Sequence, residues 1–351
     1  MEPITFSIVG CGGFTKSALD GMLAAEPWKL VALVDTDSQN LEAVRAMAGL
    51  ASTSCYPSDQ ACYKSCRPDV VFVHTPLHVH HENVLRALEA GCHVCCQKPF
   101  VPEIRQGVDL VKRARQVERW ISVGQTLRLC GTTELIGQQI AQGAIGTPAF
   151  GHRMLYRNRM RNLTGYRLEE RWAVLGACAI HLFDLFRAWF GGRIGKVRFR
   201  GMDCEWNPYR ESGAITGWVE MESGIVMTYL ESFVSHVTLD LSRHPYEDGM
   251  IQGSRGALHW SGPWSHGPIE LLSSDRTEAI QLHPGGDDWP RPMQQLMERL
   301  GRAVRGEVEP FCPADDNLWS LAAVEAAQRS AERGGSDVDV IDLGRRAGLE
   351  D

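Results

Sequence analysis

The first 37 residues limit what this chain can fold into more than any other stretch. An apolar run, Ile4-Thr5-Phe6-Ser7-Ile8-Val9, leads into Gly10-Cys11-Gly12-Gly13-Phe14-Thr15. A helical segment follows, and then a second apolar run from Leu30 to Val34 that ends in Asp35-Thr36-Asp37. The order is strand, glycine turn, helix, strand, acid, which is the layout of a dinucleotide site. Gly10 allows the tight turn out of the strand, and Gly12 has no side chain to keep the main chain from a pyrophosphate. The helix then turns its N–H groups and positive dipole end toward the phosphates. Asp35 lies 20 residues after Thr15, where a carboxylate accepts hydrogen bonds from ribose hydroxyls and repels a 2′-phosphate. With Asp37 beside it and no Arg directly after the strand, NAD is favoured over NADP. The third glycine of the pattern is replaced by Thr15, at a position that serves close helix–strand packing.

A chain of 351 residues suits two domains better than one. Hydrophobic content of 44% and charged content of 23% are those of a globular protein, and a net charge of −7 argues against a nucleic-acid partner. The first strand begins within a few residues of Met1, which leaves no room for a signal peptide, and no apolar run approaches the ~20 residues of a membrane span. The expected location is therefore the cytoplasm, with the eleven cysteines reduced. Cys62 and Cys66, or Cys92, Cys95 and Cys96, invite a metal reading. Within a strand, however, Cys92 and Cys95 point to opposite faces, so no metal is expected.

The first third alternates apolar runs (4–9, 30–35, 70–74, 92–96, 120–124) with helical segments (14–25, 38–48, 79–90, 103–117). This predicts a parallel sheet covered on both faces. After Gly124 the pattern changes. A helix is expected over 131–142, strands over 148–159, 195–204, 214–222, 225–233, 236–242 and 249–252, and helices over 179–190, 290–305 and 315–333. Glu222-Ser223-Gly224 reads as a hairpin turn, and the stretch from Pro263 to Pro292 as long loops. The fold class is α/β followed by α+β, with a nucleotide-binding domain at 1–124 and an open-faced, mainly antiparallel sheet domain at 125–351.

Two further clusters stand where chemistry is expected. Thr75-Pro76-Leu77-His78-Val79-His80-His81 follows the third apolar run, and Gln97-Lys98-Pro99-Phe100 follows the fourth. Both fall at the C-terminal edge of the parallel sheet, where ligands bind in such folds. The three histidines read as a polar loop near the cofactor, since no acid or cysteine nearby completes a metal set. His181 and Asp184 share a helix face, which suits an acid/base pair or plain helix packing. Arg153, Arg157, Arg159 and Arg161 alternate along one face, with His152 and Tyr156 on the other. They form either a charged strand face or an anion-binding surface; Arg128 and Arg171 are further candidates.

These residues together resemble the glucose–fructose oxidoreductase/inositol dehydrogenase/rhizopine-catabolism (Gfo/Idh/MocA) family. The matching pieces are Gly10-Cys11-Gly12-Gly13, Val34-Asp35, Thr75-Pro76 with His80, Gly91-Cys92-His93-Val94 leading to Lys98-Pro99, and His181 with Asp184. Gly253-Ser254-Arg255-Gly256-Ala257-Leu258 and the helix after Asp315-Asp316 extend the match over nearly the whole chain. The resemblance implies a Rossmann domain, an open sheet domain through which members form homodimers or homotetramers, and NAD(P)-dependent oxidation or reduction of a secondary alcohol of a sugar, sugar acid or cyclitol. It implies Lys98 and His181 as catalytic groups. Gly10, Gly12, Gly13, Phe14, Asp35, Thr75, Pro76, His80, Gln97 and Lys98 would bind the cofactor. Arg128, Tyr156, Arg157 and Asp184 would bind substrate. Three departures stand out. Gln97 replaces the glutamate of the Glu-Lys-Pro motif and removes a charge beside Lys98. Ala177 stands where many members have an aspartate one turn before the histidine. Trp172-Ala173-Val174-Leu175 replaces the usual glycines. Ala177 keeps open a redox-neutral lyase or hydrolase that oxidises its sugar transiently, and an inactive NAD-sensing relative.

Overall fold

In the computed structural model the residues described are 2–51, 54–160, 168–236, 246–261, 269–273, 280–282 and 290–350. The first compact unit is built on six strands: β1 (Ile4–Val9), β2 (Trp28–Val34), β3 (Cys55–Tyr56), β4 (Val70–Val73), β5 (His93–Gln97) and β6 (Ile121–Gly124). Every neighbouring pair is parallel, in the order β3-β2-β1-β4-β5-β6. The crossovers are α1 (Gly13–Leu23), α2 (Ser38–Ala48), α3 (Asp59–Ser65), α4 (His80–Glu89) and α5 (Ile104–Gln116). Helices on both faces explain why β4 is an unbroken apolar run with all four residues buried. Sequence signals set the helix ends. Asp37 accepts the Gln39 N–H to start α2, and Ser58 accepts the Ala61 N–H to start α3. Gly49 closes α2 in the left-handed conformation, at φ 65°.

The strand order reverses between β1 and β4, and this switch point creates the ligand crevice at the C-terminal ends of the strands. β3 and α3 were not expected; two and seven residues are too short for a periodic signal. The units also do not follow one cut at 124/125. The first holds 1–129 together with 288–318 and 347–351. Helix α8 (Pro290–Val304) returns to pack on α1 and β2, where the Trp28 indole N–H donates to the Met297 carbonyl at 3.0 Å.

The second unit, 130–287 and 319–346, carries a nine-stranded sheet in the order β14-β13-β12-β11-β7-β10-β9-β8-β15. Its strands are β7 (Pro148–Tyr156), β8 (Ile194–Met202), β9 (Ala214–Met221), β10 (Val226–Ser232), β11 (Tyr246–Gly253), β12 (Gly256–Ser261), β13 (Ile269–Ser273), β14 (Ile280–Leu282) and β15 (Val338–Asp339). All pairs are antiparallel except β7 with β10. Its helices are α6 (Gly131–Ala141), α7 (Ile180–Phe190), most of α9 (Ala314–Glu332) and α10 (Val340–Ala347). One sheet face is buried: Phe199 and Tyr229 meet Phe183 of α7 at ring separations of 5.6 and 6.1 Å. β13 and β14 lie inside the stretch expected to be loops. Most of the strand expected at 236–242 lies outside the described residues.

The other sheet face carries a polar ladder across five strands. His152 bonds Asp248 at 2.8 Å, Asp248 bonds His259 at 3.1 Å, His259 bonds Glu270 at 2.9 Å, and Gln281 donates to Glu270 at 2.9 Å. Partial burial lowers the pKa of His259, but the bonds to Glu270 and Asp248 outweigh it and hold the imidazole above its usual range. Beside the ladder a hollow of about 230 Å³ is lined by Phe150, Val226 and Met250, and Phe150 is 59% exposed.

The α1–α8 packing makes a stability prediction. Alanine at Gly21, inside α1, gains about 1 kcal/mol of helix propensity. Its Cβ, however, would lie 2.4 Å from the Pro290 carbonyl oxygen and 2.9 Å from the Met293 Cβ. Backbone cannot yield as a flexible side chain does, so overpacking at about 1–3 kcal/mol wins. Gly21→Ala is expected to lower the first thermal transition by several degrees; an unchanged transition would show that α8 adjusts without cost.

Candidate active site

The site begins where β1 ends. The Gly10 N–H donates to the Val34 carbonyl and the His74 N–H to the Val9 carbonyl, each at 2.8 Å, so the exits of β1, β2 and β4 are tied together. Gly10 has φ +101°, and a Cβ there would lie 2.7 Å from the His74 carbonyl carbon and 2.8 Å from the Thr75 nitrogen. Only glycine meets both demands. Gly12 is the N-cap of α1 and offers no side-chain acceptor, and a Cβ on Gly12 or Gly13 would meet nothing within 4 Å. The helix N-terminus therefore opens onto a strip clear of side chains, which suits a pyrophosphate.

Thr15 does work that a glycine could not. Its hydroxyl donates to the Gly10 carbonyl at 2.6 Å and lies 2.9 Å from His74 Nδ1. A hydroxyl has one proton, so with that proton on the Gly10 carbonyl it must accept from Nδ1–H, which assigns a proton to Nδ1 of His74. Desolvation, and secondarily the nearby His80, lower the His74 pKa to about 3, which agrees with a neutral ring. The Phe14 ring stands edge-on to His74 at 4.8 Å. Sequence reasoning missed His74. The available signal was a polar residue placed directly after the apolar run of β4.

Asp35 follows β2 and aims its carboxylate back at the glycine turn. One oxygen accepts the Cys11 N–H at 2.6 Å and the other the Asp37 N–H at 2.8 Å. Burial first, and the Asp35 charge second, push the Cys11 thiol up to about 12, so it stays neutral. The Lys16 ammonium donates to Asn40 at 2.8 Å. A strip free of Cβ atoms, a helix N-terminus and a carboxylate at the end of β2 are what a dinucleotide requires, and these residues fit it.

The loops after β4 and β5 carry the second cluster. The Thr75 hydroxyl donates to Asn83 at 3.0 Å; Asn83 and Arg86 in turn donate to Asp59 at 2.9 and 2.7 Å. Pro76 leads into a 3-10 turn, Leu77–Val79, with His78 exposed and His81 half-buried. His80 is 2% exposed, with both ring nitrogens turned to main-chain carbonyls. Gln97 Oε1 accepts the Lys98 main-chain N–H at 2.9 Å, a bond an amide makes as well as a carboxylate.

In the second unit, residues Leu175–Ala179 form a π-turn that runs into α7. Ala177 therefore does not sit in the regular α-helical turn before His181 that the sequence suggests. Such wide turns recur at functional sites. His181 is partly exposed, whereas Asp184, expected beside it at a substrate, is fully buried. Its Oδ1 accepts the Ser320 hydroxyl at 3.1 Å, and Ser320 accepts Arg187 at 2.9 Å, so Asp184 holds α7 to α9.

The arginines also divide. Arg153 is 1% exposed and paired with Glu247 at 2.6 Å, which removes it from any anion-binding surface. Arg157, just past Tyr156 at the end of β7, is buried, with its guanidinium 3.3 Å from Cys178 of the π-turn. Arg159 lies over the Phe233 ring, Arg171 pairs with Glu332, and Arg128 stands 3.7 Å from Asp316. Arg161 lies outside the described residues.

The fold has counterparts in known proteins. Residues 4–125 match the model of the oxidoreductase family, NAD-binding Rossmann fold, and residues 138–340 match that of the oxidoreductase family C-terminal alpha/beta domain. The chain is 25% identical to a D-apiose dehydrogenase from Paraburkholderia graminis over 93% of its own length and 88% of the relative's. Among solved structures it is similar to an oxidoreductase from Agrobacterium radiobacter in complex with NAD+, L-tartaric acid and magnesium. That match has a TM-score of 0.85 and 19% identity, over 97% of this chain and 100% of the other. It is also similar to an inositol dehydrogenase homolog from Azotobacter vinelandii complexed with NADH and myo-inositol, with a TM-score of 0.80 and 20% identity over 96% and 98% of the two chains. With both family models matched in order along almost the whole chain, the protein belongs to the Gfo/Idh/MocA oxidoreductase family.

Proposed function

We propose that this protein is an NAD-dependent dehydrogenase or reductase acting on a secondary alcohol or ketone of a sugar, sugar acid or cyclitol. The observation that carries the reading is the tied glycine turn with Asp35 at its mouth, on a chain whose two domains both belong to an oxidoreductase family. Relatives named D-apiose dehydrogenase and 1,5-anhydro-D-fructose reductase support the substrate class.

The main-chain amides beside Gly12, Gly13 and Phe14 would hold the pyrophosphate, Asp35 the adenosine ribose, and the Thr75–Pro76 loop with Gln97 and Lys98 the nicotinamide end. When bound, NAD supplies a hydride acceptor at the nicotinamide ring. Lys98 takes the proton of the reacting hydroxyl in oxidation and returns it in reduction. His181 is the second group proposed for proton transfer, and Tyr156, Arg157 and Arg128 are proposed to contact substrate. A cytoplasmic homo-oligomer is part of the same reading. We assign the contact between copies to the ladder-bearing sheet face, because Phe150 there is 59% exposed beside an apolar hollow.

The test is nicotinamide absorbance with NAD+ or NADP+ and a panel of sugars, sugar acids and cyclitols. One group of substrates is expected to yield NADH. Lys98→Ala is expected to lower kcat/KM by about 10²–10⁴-fold, the usual worth of a general acid/base, well beyond any loss of NAD+ affinity. Full activity in that variant would remove Lys98 from the chemistry. Asp35→Asn keeps one acceptor for the turn but loses the charge. It is expected to weaken NAD+ and strengthen NADP+, each by about tenfold (1.4 kcal/mol); an unchanged ratio would mean that Asp35 does not select the cofactor. Phe150→Asp is expected to convert the assembly to monomer in light-scattering chromatography, and an unchanged mass would place the contact elsewhere.

A further inference from the structure

His80 stands between the two loops that shape the nicotinamide end, and its surroundings are unusual in chemistry. Nε2 lies 2.7 Å from the Thr75 carbonyl oxygen, on the loop after β4. Nδ1 lies 3.0 Å from the Pro99 carbonyl oxygen and 3.1 Å from that of Phe100, on the loop that carries Lys98. Carbonyls only accept, so every bond to them needs a ring N–H. A neutral imidazole has one such proton and can donate to one loop at a time. An imidazolium has two and donates to both.

We propose that His80 is a positioning residue that sets the placement of Lys98 by bonding the Pro99–Phe100 main chain to the Thr75 loop, a bridge completed only when the ring carries both protons. The proposal rests on the reading of Lys98 as the proton-transfer group.

The titratable groups facing the ring are His78 on the preceding turn, His74 at the exit of β4 and Cys96 of β5. Burial pushes the Cys96 thiol well above its ordinary range, so it is an uncharged S–H. At 3.5 Å from Nδ1 it can donate to a bare nitrogen. The neutral ring can make only one of the two links. The Thr75 contact is the shorter, at 2.7 Å, so the proton is assigned to Nε2, and the Pro99 and Phe100 carbonyls then face a bare Nδ1. The Cys96 S–H has Nδ1 and the Gln97 carbonyl as acceptors, each at 3.5 Å. Protonation turns Nδ1 into a donor shared between those two carbonyls. Burial of the ring lowers the pKa of His80, against the pull of the carbonyls, so this change falls below about pH 6.5.

Three variants separate the two links. Asn places an amide N–H₂ near the position of Nδ1 and keeps the bond to the Lys98 loop. Gln places it near Nε2 and keeps the bond to Thr75. Phe keeps the volume and neither bond. The first readout is hydrogen exchange of the peptide covering 97–104, with and without NAD+, corrected for the intrinsic pH dependence of exchange, between about pH 7.5 and 5. In the unsubstituted protein, protection is expected to rise severalfold as pH falls. In His80→Asn it stays high and flat, and in His80→Gln and His80→Phe low and flat. The second readout is turnover of the substrate found in the panel at about pH 5, where the bridge is made in the unsubstituted protein. His80→Phe and His80→Gln are expected to lose at least about tenfold in kcat with substrate KM and NAD+ affinity within about threefold, and His80→Asn to restore kcat.

A pH-independent loop in the unsubstituted protein, or equal losses in all three variants that follow their melting temperatures, would overturn the proposal and leave His80 a packing residue. Lys98→Ala keeps the two readings apart. Full activity in Lys98→Ala refutes the assignment of Lys98 and leaves the exchange pattern to judge the bridge. An inactive Lys98→Ala with a flat exchange pattern refutes the bridge alone.

Discussion

The constraint on which the rest of the site depends is the contact of Gly10 with the main chain of His74 and Thr75. A Cβ at Gly10 would sit 2.7 Å from the His74 carbonyl carbon, so the first and fourth strands can leave the sheet side by side only if residue 10 has no side chain. That approach brings His74 to Thr15, sets the Thr75 carbonyl where His80 reaches it, and leaves the N-terminus of α1 facing open space. Placed anywhere else, the turn would leave Asp35 without the Cys11 amide it holds.

The substitution of Thr15 for the third glycine shows how a motif departs from its pattern and keeps its geometry. A glycine there serves by being small. Thr15 is fully buried, and a buried hydroxyl without a partner would cost about 1–3 kcal/mol. Here the hydroxyl is satisfied twice, by the Gly10 carbonyl and by His74. The polar group is therefore tolerated, and it also fixes which nitrogen of His74 carries the proton. The same economy appears at Gln97, where an amide oxygen holds the Lys98 main chain. In both places a neutral side chain secures backbone, and the motif survives because its backbone does.

The alternation of strands and helices in the first third was legible because each apolar run is long enough to show its period, and because caps such as Asp37, Ser58 and Gly49 mark helix ends by local chemistry. So were Gly10 and Asp35, whose roles depend on near neighbours in the chain. What was not legible depends on distant ones. β3 is two residues long and exists through its pairing with β2. The return of α8 to the first unit depends on Trp28 and Gly21, more than 260 residues earlier. Arg153 alternates with its neighbours like a surface charge, and only Glu247 across the sheet makes it a core residue. Asp184 falls in with the catalytic face of a helix by spacing, yet Ser320 draws it inward. The π-turn before His181 leaves no signature, because hydrophobic periodicity is read on the assumption of regular turns.

The preference proposed for NAD over NADP turns on two charges that flank the adenosine end. Asp35 disfavours a 2′-phosphate, whereas Lys16, on the first turns of α1, would attract one. The two are not equally prepared to act. The Asp35 carboxylate is gripped by two main-chain amides at 2.6 and 2.8 Å, and both of its oxygens are fixed before any ligand arrives. The Lys16 ammonium sits at the end of a flexible stem on a neutral partner, Asn40, and must leave that bond and order its side chain to reach a phosphate. The surrounding groups do little to offset the acid, since Cys11 is a neutral thiol and His74 a neutral ring. On the proposed reading the fixed charge of Asp35 outweighs the mobile one of Lys16, because the first acts without reorganisation.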